Sequence, residues 1–501
     1  VRSTAIALLK NRKIMVDHGR SCAEQGPMKL TVEQDRILAR APTDTIKVLA
    51  GAGCGKTSTL VEYGRRWPAR GLYLAFNRSI ADEAGRRFPA IIETRTAHSF
   101  AYRALDVGRR GNVIPRFRHE HLRAFDNMID AVPAMADRQV RTAILHTINS
   151  FLIDAGSKIR ADHCNLADPK QGLAVRKMAR AIVKKLLRID QHDLPITHDV
   201  YLKAFELWHQ IEGRFDYLLL DEAQDLNPVL ISIAQKSALP TVVVGDPYQS
   251  IYRFRGAVDA MDAFPVEAMA LTKSWRFGEA VAGLANRILR HSSKPPKHVL
   301  RGNPDKNTEV LRYSGNVQPG PGTAILARTN ARLFESLATI ERPFHLVGGL
   351  ADLQHQLASA HALRHRRYDK VTDPTVSRFS SWDQMTTAAD RGDGEARRIR
   401  SIIDRHEDRL PGILDKLATL HRDSEADAAL IVSTAHKAKG REYETVIVLD
   451  DFEDPAELAR RRRTDLAKTE DSDQQVNLLY VACTRATRRL YLAKPLFDAL
   501  C

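Results

Sequence analysis

Cysteine is scarce in this chain, with five among 501 residues. Cys22, Cys54, Cys164, Cys483 and Cys501 lie far apart with no paired spacing, which argues against a disulfide framework and a zinc site and suits a reducing cytoplasm. Long apolar runs are missing too. No stretch approaches the roughly 20 residues of a membrane-spanning helix, and Thr4 to Leu9 is too short and poorly flanked for a secretory signal. No repeat period points to a solenoid. Acids are outnumbered, 61 Asp and Glu against 76 Lys and Arg, and the formal charge of +15 favours a polyanionic partner, nucleic acid first. A hydrophobic content of 44% and a charged content of 27% are those of a globular protein. The length leaves room for roughly three or four domain-sized units.

What is present begins with Ala50-Gly51-Ala52-Gly53-Cys54-Gly55-Lys56-Thr57-Ser58, which follows the apolar run Ile46 to Leu49 and precedes helix-forming residues. It reads as a phosphate-binding loop on a strand-to-helix turn, with Ala50 where the stricter pattern has glycine. The glycines let backbone N–H groups converge on a β-phosphate. Lys56 supplies a point charge for the β- and γ-phosphates, and Thr57 offers a hydroxyl to Mg²⁺. Cys54 reads as a small filler rather than a redox switch. Further on, Phe215 to Leu220 is an apolar strand ending in Asp221 and Glu222, the partner such a loop needs in a parallel sheet. Asp221 would hold Mg²⁺ through water, and Glu222 would orient the attacking water or accept its proton. The bland alternative is a buried strand capped by a solvated acidic turn.

Two sets of strand-then-helix signals run along the chain, each interrupted by a mainly helical stretch. The first set includes Leu72 to Phe76, Tyr217 to Asp221 and Pro240 to Asp246, and the second Ala324 to Ala327, Leu430 to Thr434, Thr445 to Leu449 and Leu490 to Leu492. The expected organisation is a leader over 1–28, a first α/β domain over 29–102 and 214–270 with a helical insertion over 103–213, and a second over 271–350 and 429–501 with a reduced insertion over 351–428. Leu458 to Asp473, with its run Arg460 to Arg463, reads as a mobile loop whose charges form a solvated face rather than a DNA contact. The leader before Met28 matches nothing else and is expected to be dispensable or a start-site artefact.

Gln34 stands upstream of the phosphate loop, where a side-chain amide can read both donor and acceptor edges of adenine. Val244 to Ala257 leaves a strand and offers an amide, aromatics and arginines in one loop, a mixture suited to phosphate on one side and stacked bases on the other. With these motifs in this order, the chain from Leu30 to Leu492 closely resembles superfamily 1 DNA helicases of the UvrD, Rep and PcrA type. The resemblance implies an α/β fold of two RecA-like P-loop domains with parallel sheets.

It also implies roles. Gln34 becomes the adenine-reading glutamine, Ala50 to Ser58 the nucleotide cradle, Lys56 and Thr57 part of motif I, Asp221 and Glu222 motif II, and Gln249 the γ-phosphate sensor of motif III. Leu271 to Phe277 resembles motif IV, with Trp275 where the family often stacks a tyrosine on adenine and Arg276 as one of two arginines reaching the γ-phosphate. Ser433 to Glu442 resembles motif V, placing Glu442 near the ribose and Thr434 and His436 near DNA. Leu479 to Ala486 resembles motif VI, with Arg485 as the second arginine. Two charges supplied from a second domain stabilise a transferring phosphoryl group only when the cleft closes.

The same resemblance implies DNA contacts at Phe76 and Asn77, Thr96 and His98, Phe254 and Arg255, and Arg328, Thr329 and Asn330. For Phe76, at the end of an apolar strand, a core position and a stacking position both stand. Ser274 to Gly278 and Asn477 to Tyr480 look more like the F-box DNA helicase branch, although no F-box is expected in the residues ahead of Gln34, and no nuclease domain after Leu492. Gln474 and Gln475 stand where relatives often carry acids. The implied function is an ATP- and Mg²⁺-dependent DNA helicase moving 3′ to 5′ on single strands and acting at single-strand/duplex junctions. A translocase that strips proteins from DNA, or a nucleic-acid-sensing ATP switch in a larger complex, are its rivals.

Overall fold

The computed structural model describes residues 30–75, 77–109, 112–115, 117–130, 138–166, 168–189, 194–211, 213–251, 260–315, 320, 322–465 and 468–501. Thr31 starts helix α1 (Val32–Leu38) with a capping box: its hydroxyl accepts the Gln34 N–H at 3.1 Å, and the Gln34 side-chain oxygen accepts the Thr31 N–H at 3.0 Å. Strand β1 (Ile46–Ala50) leads through the glycine-rich turn into α2 (Lys56–Arg66), followed by β2 (Gly71–Ala75) and β3 (Ile92–Thr96). The chain then leaves the sheet. A two-residue strand β4 (Val113–Ile114), helices α3 (Arg138–Ile153) and α4 (Pro169–Leu186), a second short strand β5 (Ile196–Thr197) and α5 (His198–Trp208) come before the return at β6 (Tyr217–Leu220). Strands β7 (Thr241–Gly245) and β8 (Ala268–Leu271) complete a six-stranded sheet in the order β3-β2-β6-β7-β1-β8, every pair parallel.

Helix α6 (Glu279–Leu289) opens the second unit, with β9 (Glu309–Tyr313), β10 (Thr323–Ala327) and β11 (Phe344–Leu346). Four helices, α7 (Ala351–Arg364), α8 (Trp382–Asp390), α9 (Gly394–His406) and α10 (Leu410–Leu420), interrupt it before β12 (Leu430–Thr434) and β13 (Tyr443–Val448). Helices α11 (Pro455–Thr464) and α12 (Thr469–Cys483) and strand β14 (Ala486–Ala493) follow. The second sheet is also six-stranded and parallel, in the order β11-β12-β10-β13-β14-β9. Two parallel sheets in an α/β fold are therefore present. Strands β6, β7, β10 and β12 are buried throughout, which is why they read as continuous apolar runs and not as alternating ones.

One buried apolar cluster is continuous through both units and includes Val48, Leu271, Leu326, Val446 and Tyr480. Separate clusters lie under the two helical interruptions. The expected loop at Leu458 to Asp473 is mostly helical instead. Asp454 accepts the Ala456 N–H and Pro455 sits in the first turn, so α11 begins on a strong start signal that the charge run obscured. Its arginines are partly engaged, with Arg462 3.0 Å from Asp473 and Arg461 paired with Glu453. No helix among the described residues is long and apolar enough to cross a membrane. The expected leader over 1–28 lies outside the described residues.

Candidate active site

Strand β1 lies between β7 and β8, so the loop at its carboxyl end opens beside the ends of β6 and β7, where Asp221 and Asp246 emerge. Ala50 is the last residue of β1, and Cys54 is buried in the turn, its thiol pushed up chiefly by burial. Gly53 and Gly55 have φ of +72° and +77°, and a Cβ on Gly53 would come within 2.6 Å of Ser274 Oγ and 2.7 Å of Arg276 Cβ. Glycine is thus required both by conformation and by the close approach of the 274–276 segment. Gly51 N–H donates to Leu271 C=O, and Ser58 Oγ accepts from Arg87 at 2.7 Å. The N–H groups of Gly53 and Gly55 meet no protein acceptor among the described residues, and those of Lys56 and Thr57 open α2, where none is intrahelical. Four donors are thereby left for an anion.

Lys56 Nζ is 3.4 Å from Glu222 Oε1. Burial works to lower its pKa, but Glu222, Asp246 and Asp221 outweigh that and raise it, so the ammonium keeps its charge. Thr57 Oγ1 donates to Asp221 Oδ2 at 2.7 Å, and Tyr73 Oη donates to the same oxygen at 3.0 Å. Burial, then the Glu222 charge, pushes the Asp221 carboxyl above the usual range, against Lys56. Burial would raise Glu222 as well, but Lys56 and Lys439 hold it below that range. A half-buried hydroxyl and a carboxylate whose ionisation wants a cation are hard oxygen donors that fit Mg²⁺, which takes one or two protein ligands besides substrate phosphates. Among the described residues there is no cluster of three or more His, Cys, Asp or Glu side chains for a metal held by protein alone.

Glu222 has a φ of +51°, rare for a residue with a side chain. Its N–H donates to Asp221 Oδ1 at 2.9 Å and its carboxylate accepts from Gln224 Nε2, so bonds on both sides hold the bend.

The second unit closes the site. Arg276 donates to Thr484 C=O at 3.0 Å and pairs with Glu442 at 2.7 Å, while its Nε is buried without a partner. Arg485, fully buried beside Arg276, has an Nη 3.5 Å from Gln249 Oε1. Burial, then the Arg276 charge, lowers its guanidinium to about 9. Lys439 reaches from the turn after β12 to the Asp225 carboxylate and the Gln249 carbonyl. Gln249 Nε2 donates to Asp246 Oδ2 at 2.8 Å. At the other end, the Trp275 indole lies against Gly55, Lys273 Nζ sits 4.4 Å from the Trp275 ring centroid, and Gln34 Nε2 donates to Thr59 at 2.9 Å while keeping a second N–H. The structure thus links Gln34 and Trp275 at Gly55, Lys56 to Glu222, Thr57 to Asp221, Arg485 to Gln249 and Arg276 to Glu442.

The residues expected at DNA are more dispersed. Asn77 and Thr96 cap helices, accepting the N–H of Ile80 at 2.9 Å and of Ser99 at 3.1 Å. His98 lies 3.5 Å from Asp199. Arg328 and Thr329 bind Asp451, Arg328 also reaching Gln475 at 3.2 Å. Thr434 is nearly buried and His436 follows it in the turn. Asn330 lines a groove of about 1440 Å³ with Gly348, Lys437, His146, Arg378 and Arg398, between the first helical interruption and the second unit. Phe76, Phe254 and Arg255 lie outside the described residues. Sequence reasoning assigned nothing to Asp246, Lys439, Tyr73 or Tyr480. A carboxylate directly after the strand Thr241–Gly245 was a readable signal for Asp246, whereas Tyr73 is simply a buried strand tyrosine.

Residues 30–262 match the family model for the UvrD/REP helicase N-terminal domain, and residues 363–495 that for the UvrD-like helicase C-terminal domain. F-box DNA helicase 1 of Gallus gallus is 28% identical over 94% of this chain and 49% of its own length. F-box DNA helicase protein 1 of Schizosaccharomyces pombe is 28% identical over 92% of this chain and 57% of its own. ATP-dependent DNA helicase UvrD2 of Mycobacterium tuberculosis is 24% identical over 92% and 78%. The chain thus spans about half the length of the F-box relatives it matches. With both halves of the family matched along most of its length, this chain belongs to the UvrD-like helicases.

Proposed function

We propose that the protein is an ATP- and Mg²⁺-dependent DNA helicase that moves 3′ to 5′ along single strands and works at single-strand/duplex junctions, in DNA repair or recombination. The carrying observation is that Lys56 pairs with Glu222 and Thr57 with Asp221 at the ends of the first sheet, while Arg485 of the second unit reaches Gln249 and lies beside Arg276. Residues 29–102 and 214–270 form the first motor domain in this reading, and 271–350 and 429–501 the second, with 103–213 and 351–428 as insertions. Free N–H groups of the loop and Lys56 bind the phosphates, Thr57 and Asp221 hold Mg²⁺, and Glu222 orients water and takes its proton. Gln249 senses the γ-phosphate, the two arginines offset charge developing on it, and Trp275 and Gln34 take the base. Bound Mg·ATP supplies the phosphoanhydride whose cleavage drives opening and closing.

DNA contacts at Phe76, Asn77, Thr96, His98, Phe254, Arg255, Arg328, Asn330, Thr434 and His436 belong to the same proposal. Support for a polyanionic partner comes from α4, which has no acidic residue and whose Lys177, Arg180, Lys184 and Lys185 are exposed and in no ion pair among the described residues. The four described cysteines are free, which suits action in the cytoplasm. The short interruption at 351–428 favours a second reading, a translocase that clears proteins from single strands. Unwinding of a tailed duplex with hydrolysis followed in the same sample separates the two, since the second reading predicts hydrolysis and protein clearance without strand separation.

A further inference from the structure

Tyr480, on α12 of the second unit, places its hydroxyl inside the phosphate loop of the first. The oxygen accepts the Ala52 N–H at 2.9 Å and donates to Asp246 Oδ2 at 2.9 Å. Ala52 N–H is therefore a loop donor turned toward the second unit, unlike those of Gly53 and Gly55. Asp246 Oδ2 also accepts from Gln249 Nε2 at 2.8 Å, and Gln249 Oε1 faces Arg485 at 3.5 Å. A second branch runs from the Asp246 N–H to Gln224 Oε1 at 2.9 Å and on from Gln224 to Glu222. Tyr480 lies in the last turn of α12 and Arg485 just beyond it, where Arg485 Nε donates to Val481 C=O at 2.9 Å and Thr484 Oγ1 to Tyr480 C=O at 2.8 Å. A shift of the loop at Ala52 thus reaches Gln249, Glu222 and Arg485 through one hydroxyl.

We propose that Tyr480 is a positioning residue for hydrolysis, whose hydroxyl ties the conformation of the phosphate loop to the placement of Gln249 and Arg485. This rests on the proposed nucleotide site. Tyr480 is fully buried, and burial followed by the Asp246 charge holds its phenol well above the ordinary range, so the hydroxyl keeps the proton it donates. Buried bonds to a charged acceptor are worth more than neutral ones, and their loss leaves the carboxylate under-solvated.

The test is steady-state ATP hydrolysis by the full chain with single-stranded DNA, in wild type, Tyr480→Phe, Gln249→Ala, the double variant and Tyr63→Phe. Tyr63 is the control, because its hydroxyl is buried with no hydrogen-bond partner. Tyr480→Phe keeps the ring in the core and should lower kcat about tenfold, as expected for losing one charge-assisted bond in the transition state. The KM for ATP and the affinity for a fluorescent ADP analogue should stay within about twofold, the pattern of a lost transition-state interaction and not of lost binding. In the Gln249→Ala background the same substitution should change kcat little, because the relay is already cut. Tyr63→Phe should match wild type. An unchanged kcat in Tyr480→Phe, a rise in KM alone, or equal fold losses in both backgrounds overturns the inference while leaving the nucleotide site intact. A wild type that hydrolyses no ATP overturns the proposed function, and the inference with it.

Discussion

Thr57 Oγ1 donates a hydrogen bond to Asp221 Oδ2 at 2.7 Å, joining the first turn of α2 to the end of β6. The two oxygens that would share a divalent cation thus already face each other, with Tyr73 Oη on the same carboxylate oxygen as a third, neutral partner. Thr57 and Asp221 would hold such a cation, whose charge would offset that of a carboxyl that burial disfavours in its ionised form. Chelation with EDTA should therefore abolish turnover, and Asp221→Asn should lower it by at least about a hundredfold, an effect of the size seen when one charge-stabilising group is lost. Phosphate release is the readout, and hydrolysis that survives chelation would contradict this assignment.

Lys56 is the nearest cation to the Glu222 carboxylate and keeps its charge despite burial. Lys56→Ala should abolish hydrolysis while sparing much of the DNA affinity, since the bonds that place the second unit against the loop do not pass through Lys56. Filter binding of single-stranded DNA beside an ATPase assay checks both halves. Near-normal ATPase activity would remove the loop from the active site.

Arg485 comes from the second unit and Arg276 from the segment between β8 and α6, so their loss should spare nucleotide binding and slow hydrolysis. Arg485→Ala is expected to lower kcat by about 10³-fold or more, in the range of other arginine fingers. Arg485→Lys should not restore it, because lysine cannot reproduce the planar fork that meets Gln249 and Val481. An unchanged turnover rate in either variant would take Arg485 out of the mechanism.

The glycine-rich turn after β1 and the carboxylate pair after β6 were legible in the sequence because each is contiguous and sits at a strand end. Both parallel sheets were legible for a related reason, since strands buried on two faces leave unbroken apolar runs. Tyr480 lies within a motif that says nothing of its hydroxyl, because the contacts of that hydroxyl exist only where residues 52, 246 and 480 meet. The helix that enters Leu458 to Asp473 is hidden in the sequence because four successive arginines mask the Asp454-Pro455 helix start. Arg328 and Thr329 carry a resemblance to DNA-contacting positions, yet in this fold both grip Asp451.

A buried ionic cluster supports the first helical interruption. Lys203 Nζ donates to Asp154 C=O at 2.7 Å and to Glu206 at 2.9 Å, and Glu206 also accepts from Ser232 Oγ at 2.7 Å and from Lys236. Lys203→Met should destabilise the fold by about 3–5 kcal/mol in a urea titration, the usual result of removing one partner of a buried pair. Burial would raise the Glu206 pKa, but Lys236, Lys203 and Ser232 outweigh it and lower it. The stabilisation from Glu206 is thus present above the unfolded pKa of about 4.3 and is lost as pH falls through the lower folded value. Glu206→Gln should flatten that acid limb, and an unchanged limb would contradict the account.

The central claim is that nucleotide hydrolysis in the cleft drives directional motion on DNA. The most direct measurement follows strand separation of duplexes bearing a 3′ or a 5′ single-stranded tail, with ATP hydrolysis recorded in the same samples. Separation of the 3′-tailed duplex alone, dependent on ATP and Mg²⁺ and absent in Lys56→Ala, is the predicted result. Separation from the 5′ tail alone, or hydrolysis that DNA does not stimulate and that separates neither duplex, would contradict it.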